Sequence, residues 1–255
     1  MTGLRVVNRL LASVLLLGLT LAMQPARSAE VRVLCSVALK AVAEDLFPQF
    51  EKATGNKVVA SFAIAASQKR KAEAGEPFDL IILTPSLLDD LIGQGKVAAD
   101  TRTIVARSGL AFVVKAGARE PDVGTTEAFR KTLLDAKSIT YTKEGASGVL
   151  FAGIIRKLGI AEALAPKTQY TDAGEEVGAN VLAGRAELGV LPVSEILPVK
   201  GAEVGGVFPP ELQQFIVMAG GANVAAAEGA AARELLKFLT SPSALPVLKK
   251  HGMDR

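Results

Sequence analysis

The stretch SFAIAASQKRKAEAGEPFDLIIL, Ser61 to Leu83, sets two apolar β-like runs on either side of a helical pattern. Lys69 and Glu73 are spaced to pair across one helical turn. FDLIIL runs apolar without polar alternation, as a strand covered on both faces does. Strand, helix and buried strand in this order are one step of a parallel α/β sheet. The first strand is expected to end in Ala65, Ala66 and Ser67, at the turn that opens the cationic helix. Small residues at such a turn leave the first N–H groups of the helix uncovered, and those groups attract anions.

The same pattern extends both ways along the chain. Upstream, VRVLCSV is a strand, and Leu39, Val42, Leu46 and Phe50 carry a helical period, with Pro48 marking an expected kink or early end. Downstream, TPSLLDDLI has Thr84 as cap and Pro85 at the first helical position. After RSGLAFVVKAG a second series begins: a helix from Thr125 to Ala136, the strand SITYT, a helix through GVLFAGIIRKLG, a short strand at KTQY, a helix over Glu175–Ala183, and the strand AELGVL. QQFIVMAGGA is a further strand, and AAARELLKFLTSPSALPVLKKHG splits into two terminal helices at Ser241 and Pro242. Two α/β units joined by GLAFVVKA and QFIVMAG predict a two-lobed protein. Residues 29–112 with 217–255 form lobe 1 and 113–216 form lobe 2, each a mostly parallel sheet flanked by helices, with two crossover strands.

The first 28 residues read as a cleaved signal peptide: Arg5 and Arg9, then the apolar run LLASVLLLGLTLA, then Ala26 and Ser28 where a signal peptidase reads small residues. This implies export to the periplasm. Of 29 lysines and arginines against 26 acids, Arg5, Arg9 and Arg27 leave with that segment, so the mature chain is neutral. Without a basic face, and with no Trp and two Tyr, nucleic acid is not an expected partner. One cysteine allows no internal disulfide, so the fold relies on its core.

Catalysis by general acid–base or nucleophilic groups draws mostly on His and Cys, and the chain has one of each. His251 falls at a helix end, where a cation complements the dipole. Cys35 falls inside a strand, the place of a small buried hydrophobe. No metal cluster, phosphate loop or nucleophile elbow is legible, so neither enzyme activity nor a cofactor is expected. What remains are four strand-to-helix turns, CSVALK, IAASQ, EGASG and TDAGEE, which in open α/β sheets gather at the crevice beyond the carboxyl ends of the strands.

VRVLCSVALK, FEKATGNKVVASFA, AEAGEPFDLIIL, RKLGIAEALAPKT, AELGV and FLTSPSALPVLKKHGM together make the chain similar to the molybdate-binding-protein family of periplasmic solute-binding proteins, over essentially its whole mature length. The resemblance implies a type II periplasmic binding fold that closes on a small anionic ligand. It implies a monomer that delivers this ligand to the membrane permease of an ABC importer. That family grips molybdate or tungstate with two serine hydroxyls, backbone N–H groups and a tyrosine. Transferred here, the serines fall on Ala38 and on Ala65 or Ala66, second-lobe backbone contacts on Ser147 with Gly148 and on Gly174, and the tyrosine on Pro192. Ser36 and Ser67 keep hydroxyls close by. Missing side-chain donors leave room for an organic carboxylate beside a molybdate-type oxyanion, and a ligand-presenting sensory module shares every one of these features.

Overall fold

The computed structural model describes residues 28–255, so the expected signal peptide, apart from Ser28, lies outside the described residues. The first half of the chain forms β1 (Glu30–Ser36), a 3-10 turn (Val37–Leu39), α1 (Lys40–Thr54), β2 (Lys57–Ala63), α2 (Ala65–Glu73), β3 (Leu80–Leu83) and α3 (Pro85–Gly93). β4 (Thr103–Lys115) follows as a single run of 13 residues. Beyond it come α4 (Thr126–Asp135), β5 (Ile139–Thr142), α5 (Ala146–Lys157), α6 (Ala161–Leu164), β6 (Thr168–Thr171), α7 (Gly174–Leu182), β7 (Leu188–Pro192), α8 (Val193–Ile196) and β8 (Ala202–Val207). β9 (Phe215–Ala222), α9 (Gly229–Leu239) and α10 (Leu245–Lys250) close the chain.

The strands form one curled sheet in the order β2-β1-β3-β9-β4-β7-β5-β6, with β8 paired to β4. β1 is parallel to β2 and β3, and β5 is parallel to β6 and β7, whereas β9 is antiparallel to both β3 and β4. Each half of the sheet is covered on both faces. In the first half, Val33, Leu46, Phe50, Leu80 and Leu235 pack on one side and Ile81, Leu88 and Leu91 on the other. In the second half, Phe112, Phe129, Phe151 and Phe208 form one core, and Val113, Val177 and Ile196 the other. This is the layering expected of two α/β units, because strands apolar on both faces stay dry only between helices.

Three expectations differ from the structure. Pro48 neither ends nor splits α1, which runs through it. Proline removes the bond to the carbonyl four residues back and costs about 3 kcal/mol in a helix interior. Here Pro48 and Glu44 are both exposed, so water can solvate the freed carbonyl. The α2 helix begins at Ala65 with Ile64 as its cap, so Ala65, Ala66 and Ser67 are its first turn and not the end of the strand before it. Finally, the chain returns to the first half through Phe208–Gln214, which forms no strand, and β9 stays wholly beside β3 and β4. Pro209 and Pro210 in that segment cannot donate to a ladder. Instead Gln213 binds the backbone of Leu110 from both ends of its amide, at 2.8 and 3.1 Å, where β4 passes between the halves.

Candidate functional site

Strand register places the turns. Ser36 lies opposite Ala63, Cys35 opposite Ile82 and Leu83 opposite Ala219, so β1, β2 and β3 all end toward the Phe215 end of β9, which pairs with Gly109. From the other side, Pro192 pairs with Leu110, while β5 and β6 run parallel to β7. The carboxyl ends of six strands therefore face one crevice over Gly109 and Leu110, where β4 changes partners. Each candidate turn follows one of those ends, which is where open α/β sheets bind ligands.

In the first half, Ser36 is buried, and its Oγ accepts a 3.4 Å hydrogen bond from the Ala38 N–H at the head of the 3-10 turn. Its hydroxyl thus serves the turn. In α2 the first helical bond runs from the Gln68 N–H to the Ile64 carbonyl, so the N–H groups of Ala65 and Ala66 precede the hydrogen-bonded ladder. Ser67 already donates its N–H to Ile64. Gln68 fixes the turn from below, its Nε2 reaching the carbonyls of Cys35 (3.1 Å) and Ser61 (2.6 Å), while its buried Oε1 has no partner. Around these donors the surface is apolar: Val37 is 46% and Ile64 63% exposed.

Two basic residues near the first-half turns are engaged elsewhere, whereas Lys143, just before the EGASG turn, has no ion pair among the described residues. Lys40 pairs with Glu44, and Lys69 pairs with Glu73 (2.9 Å) and Asp90 (3.4 Å). At the crossing, Arg107 spreads over the ring of Phe215 at 4.6 Å, its buried Nε without a hydrogen-bond partner.

In the second half, Ser147 is the second residue of α5 and is buried. Gly148 is required there, because a Cβ would fall inside the Thr142 carbonyl oxygen. α5 can start this close to the end of β5 only without a side chain. The Thr142 hydroxyl beneath it is buried and unpartnered. Gly174 is the first residue of α7, and a Cβ on it would lie 2.5 Å from Oε2 of Glu195 and 3.3 Å from Leu191. Pro192 ends β7 as the buried cap of α8 and brings no donor. Glu195, which the sequence reading passed over, is partly buried; burial first, then the charge of Glu175, push its carboxyl up to about 7. Its only sequence signal is an acid between Val193 and Ile196 immediately after a buried strand.

His251 ends α10, and its Nε2 lies 2.8 Å from Asp45 Oδ2; with Lys250 it holds the Asp45 carboxyl below the usual range. Cys35 is fully buried, and burial pushes its thiol up. Neither belongs to the crevice. A hollow of about 320 Å³ opens elsewhere, on the flank of β6, lined by Tyr141, Lys143, Val149, Arg156 and Tyr170.

The model of a family described as bacterial extracellular solute-binding protein matches residues 31–254. Among characterised relatives, an aconitate isomerase of a Pseudomonas species is 32% identical over 241 residues, spanning 91% of this chain and 90% of that protein. The molybdate-binding protein ModA of Azotobacter vinelandii is 27% identical over 251 residues, spanning 94% and 95%. The solved structure of the periplasmic molybdate-binding protein of the same organism superposes with a TM-score of 0.70 at 20% identity, covering 88% of this chain and 99% of that one. At that identity the structural likeness speaks for the fold.

Proposed function

The chain belongs to the bacterial extracellular solute-binding protein family, and from that premise we propose that it captures a small organic carboxylate in the crevice and hands it to an ABC-importer permease. Capture proceeds by closing residues 29–112 and 217–255 against 113–216, with β4 and Phe208–Gln214 as the two hinges. The observation that carries this reading is the crevice inventory: backbone N–H groups at the starts of α2, α5 and α7, no hydroxyl on Ala38, Ala65, Ala66 or Pro192, and apolar Val37 and Ile64 at the rim. Such a surface suits an anion with a carbon body. Hydrogen bonds to a charged group contribute about 1.5–3 kcal/mol each, so a few backbone donors reach the roughly 8 kcal/mol of a micromolar complex. Arg107 at the crossing, free of any ion pair among the described residues, is one cation that could meet a carboxylate, and Lys143 beside the EGASG turn is another. The relative named for action on aconitate, itself a tricarboxylate, supports the same class.

Calorimetric titration with citrate, tricarballylate, trans-aconitate, molybdate, tungstate and sulfate tests the ligand class. Micromolar binding of at least one carboxylate, with the oxyanions at least tenfold weaker, is the expected result. The reverse order overturns it.

A second reading, isomerisation of an unsaturated carboxylate, is favoured by one observation beyond the 32% identity: Glu195, near neutrality, is suited to moving a proton. Proton NMR of trans-aconitate with the protein separates the two readings. Conversion to the cis isomer selects the enzyme, and a bound but unchanged ligand selects the receptor.

A further inference from the structure

Glu195 is the crevice group that anion capture by backbone donors does not explain. Its Oε2 stands over the first residue of α7, where the helix offers its positive end to an anion. Neither a hydrogen bond nor a cation among the described residues holds it there. A carboxylate only accepts hydrogen bonds, and two negative charges a few ångströms apart repel strongly where water is scarce.

We infer that Glu195 is the specificity-determining residue of this crevice, turning away fully deprotonated oxyanions and admitting ligands that present a hydroxyl or an acid proton to it. The inference rests on the carboxylate reading of the site. Molybdate and sulfate bring charge without a proton at neutral pH, so in wild-type protein they meet the helix start and a competing negative charge together. A hydroxy acid brings both a carboxylate for the N–H groups and a hydroxyl for Glu195. Of the charged residues on the elements packed against α8, namely Arg107 and Lys115 on β4, Glu203 on β8, Glu175 and Glu176 on α7, and His251, Asp254 and Arg255 of the C-terminal segment whose Gly252 lies against Val193, only Glu175 perturbs Glu195, and it acts in the same direction as burial. The exclusion is therefore strongest above neutral pH and relaxes below it.

Titrations of wild type and Glu195→Gln with molybdate, citrate and tricarballylate at pH 6.0 and 8.5 test this. Molybdate keeps its double charge across that range, so its profile reports the protein. In wild type its affinity should be at least tenfold higher at pH 6.0 than at 8.5. Glu195→Gln should bind molybdate equally at both pH values and at least tenfold more tightly than wild type at pH 8.5. Citrate should outbind tricarballylate, which lacks the hydroxyl, and that ratio at pH 8.5 should shrink roughly fivefold in Glu195→Gln, since a neutral acceptor is weaker than a charged one. A flat wild-type molybdate profile overturns the inference without reference to any variant. So does molybdate binding that is absent from both proteins at pH 6.0. If no carboxylate binds either protein, the carboxylate reading falls alone, and the molybdate profile still decides the role of Glu195.

Discussion

The two sides of the crevice are built from the same device and finished differently. On the first-half side, the turns after β1 and β2 are uncharged and edged by exposed Val37 and Ile64, and of the two nearby hydroxyls, on Ser36 and Ser67, that of Ser36 is spent on its own turn. On the second-half side, α5 starts so close to β5 that Gly148 admits no Cβ, Gly174 at the start of α7 lies under the carboxylate of Glu195, and the polar groups pressed there, Thr142 and Glu195, lack partners. An open turn tolerates exchange and binds by backbone alone. A crowded one is intolerant and places side chains where they discriminate.

That contrast is broken most directly by Gly148→Ala. The added methyl must push α5 off the end of β5, and overpacking of this severity is expected to cost at least about 3 kcal/mol. Ala66→Ser, at the matching turn of the first half, should change stability by less than about 0.5 kcal/mol, as exposed positions do. Urea unfolding of the two variants measures both, and equal effects would erase the distinction.

Next in size is the cost of carrying Glu195. Its folded value, about 7, lies above the ordinary glutamate value of 4.5. Its contribution is therefore fully present below about pH 4.5 and is lost as pH rises through 7. Over that window the wild type should lose about 2–3 kcal/mol relative to Glu195→Gln. Denaturant melts of both proteins at pH 5 and 8 give the difference; parallel curves would show that the second-half side stores no such strain.

The smallest change restores hydroxyls to the permissive side. Ala38→Ser together with Ala66→Ser should raise molybdate affinity about tenfold with the fold intact, less than two full charge-assisted bonds because Glu195 still opposes the ligand. Calorimetry at pH 6.0 and 8.5 checks it. A gain confined to pH 6.0 would sharpen the division of labour, and no gain at either would place these alanines outside the ligand's reach.

Much of this was legible in the residues. Apolar period and strand-like runs located every helix but the single-turn α6 and α8, and every strand except β8; Thr84 stands at the cap of α3 as expected but its hydroxyl makes no cap bond, whereas Thr125, expected only to open its helix, caps α4 through its hydroxyl. β8 escaped because Gly205 and Gly206 dilute its pattern; at Gly206 a φ of 142° and Val123, 2.6 Å from any Cβ, demand glycine for reasons that only the fold reveals. The turns were legible as turns, since small residues before a helix are a local signal. Glu195 was not, because its weight comes from Gly174 and Glu175, both distant in sequence. Pro48 misled for the complementary reason: its penalty depends on which face of α1 meets water.

The position of β9 in the sheet bears on how the chain is made. β3 ends against β9, and the core around Phe50 and Leu80 is completed by Met218, Leu235, Leu239 and Leu248. A ribosome delivers those residues last, so the first 90 residues travel without the strand and helices that make their packing worthwhile. Contacts of such long sequence separation form slowly. The packing of the first half is therefore complete only once the final segment of the chain has joined it.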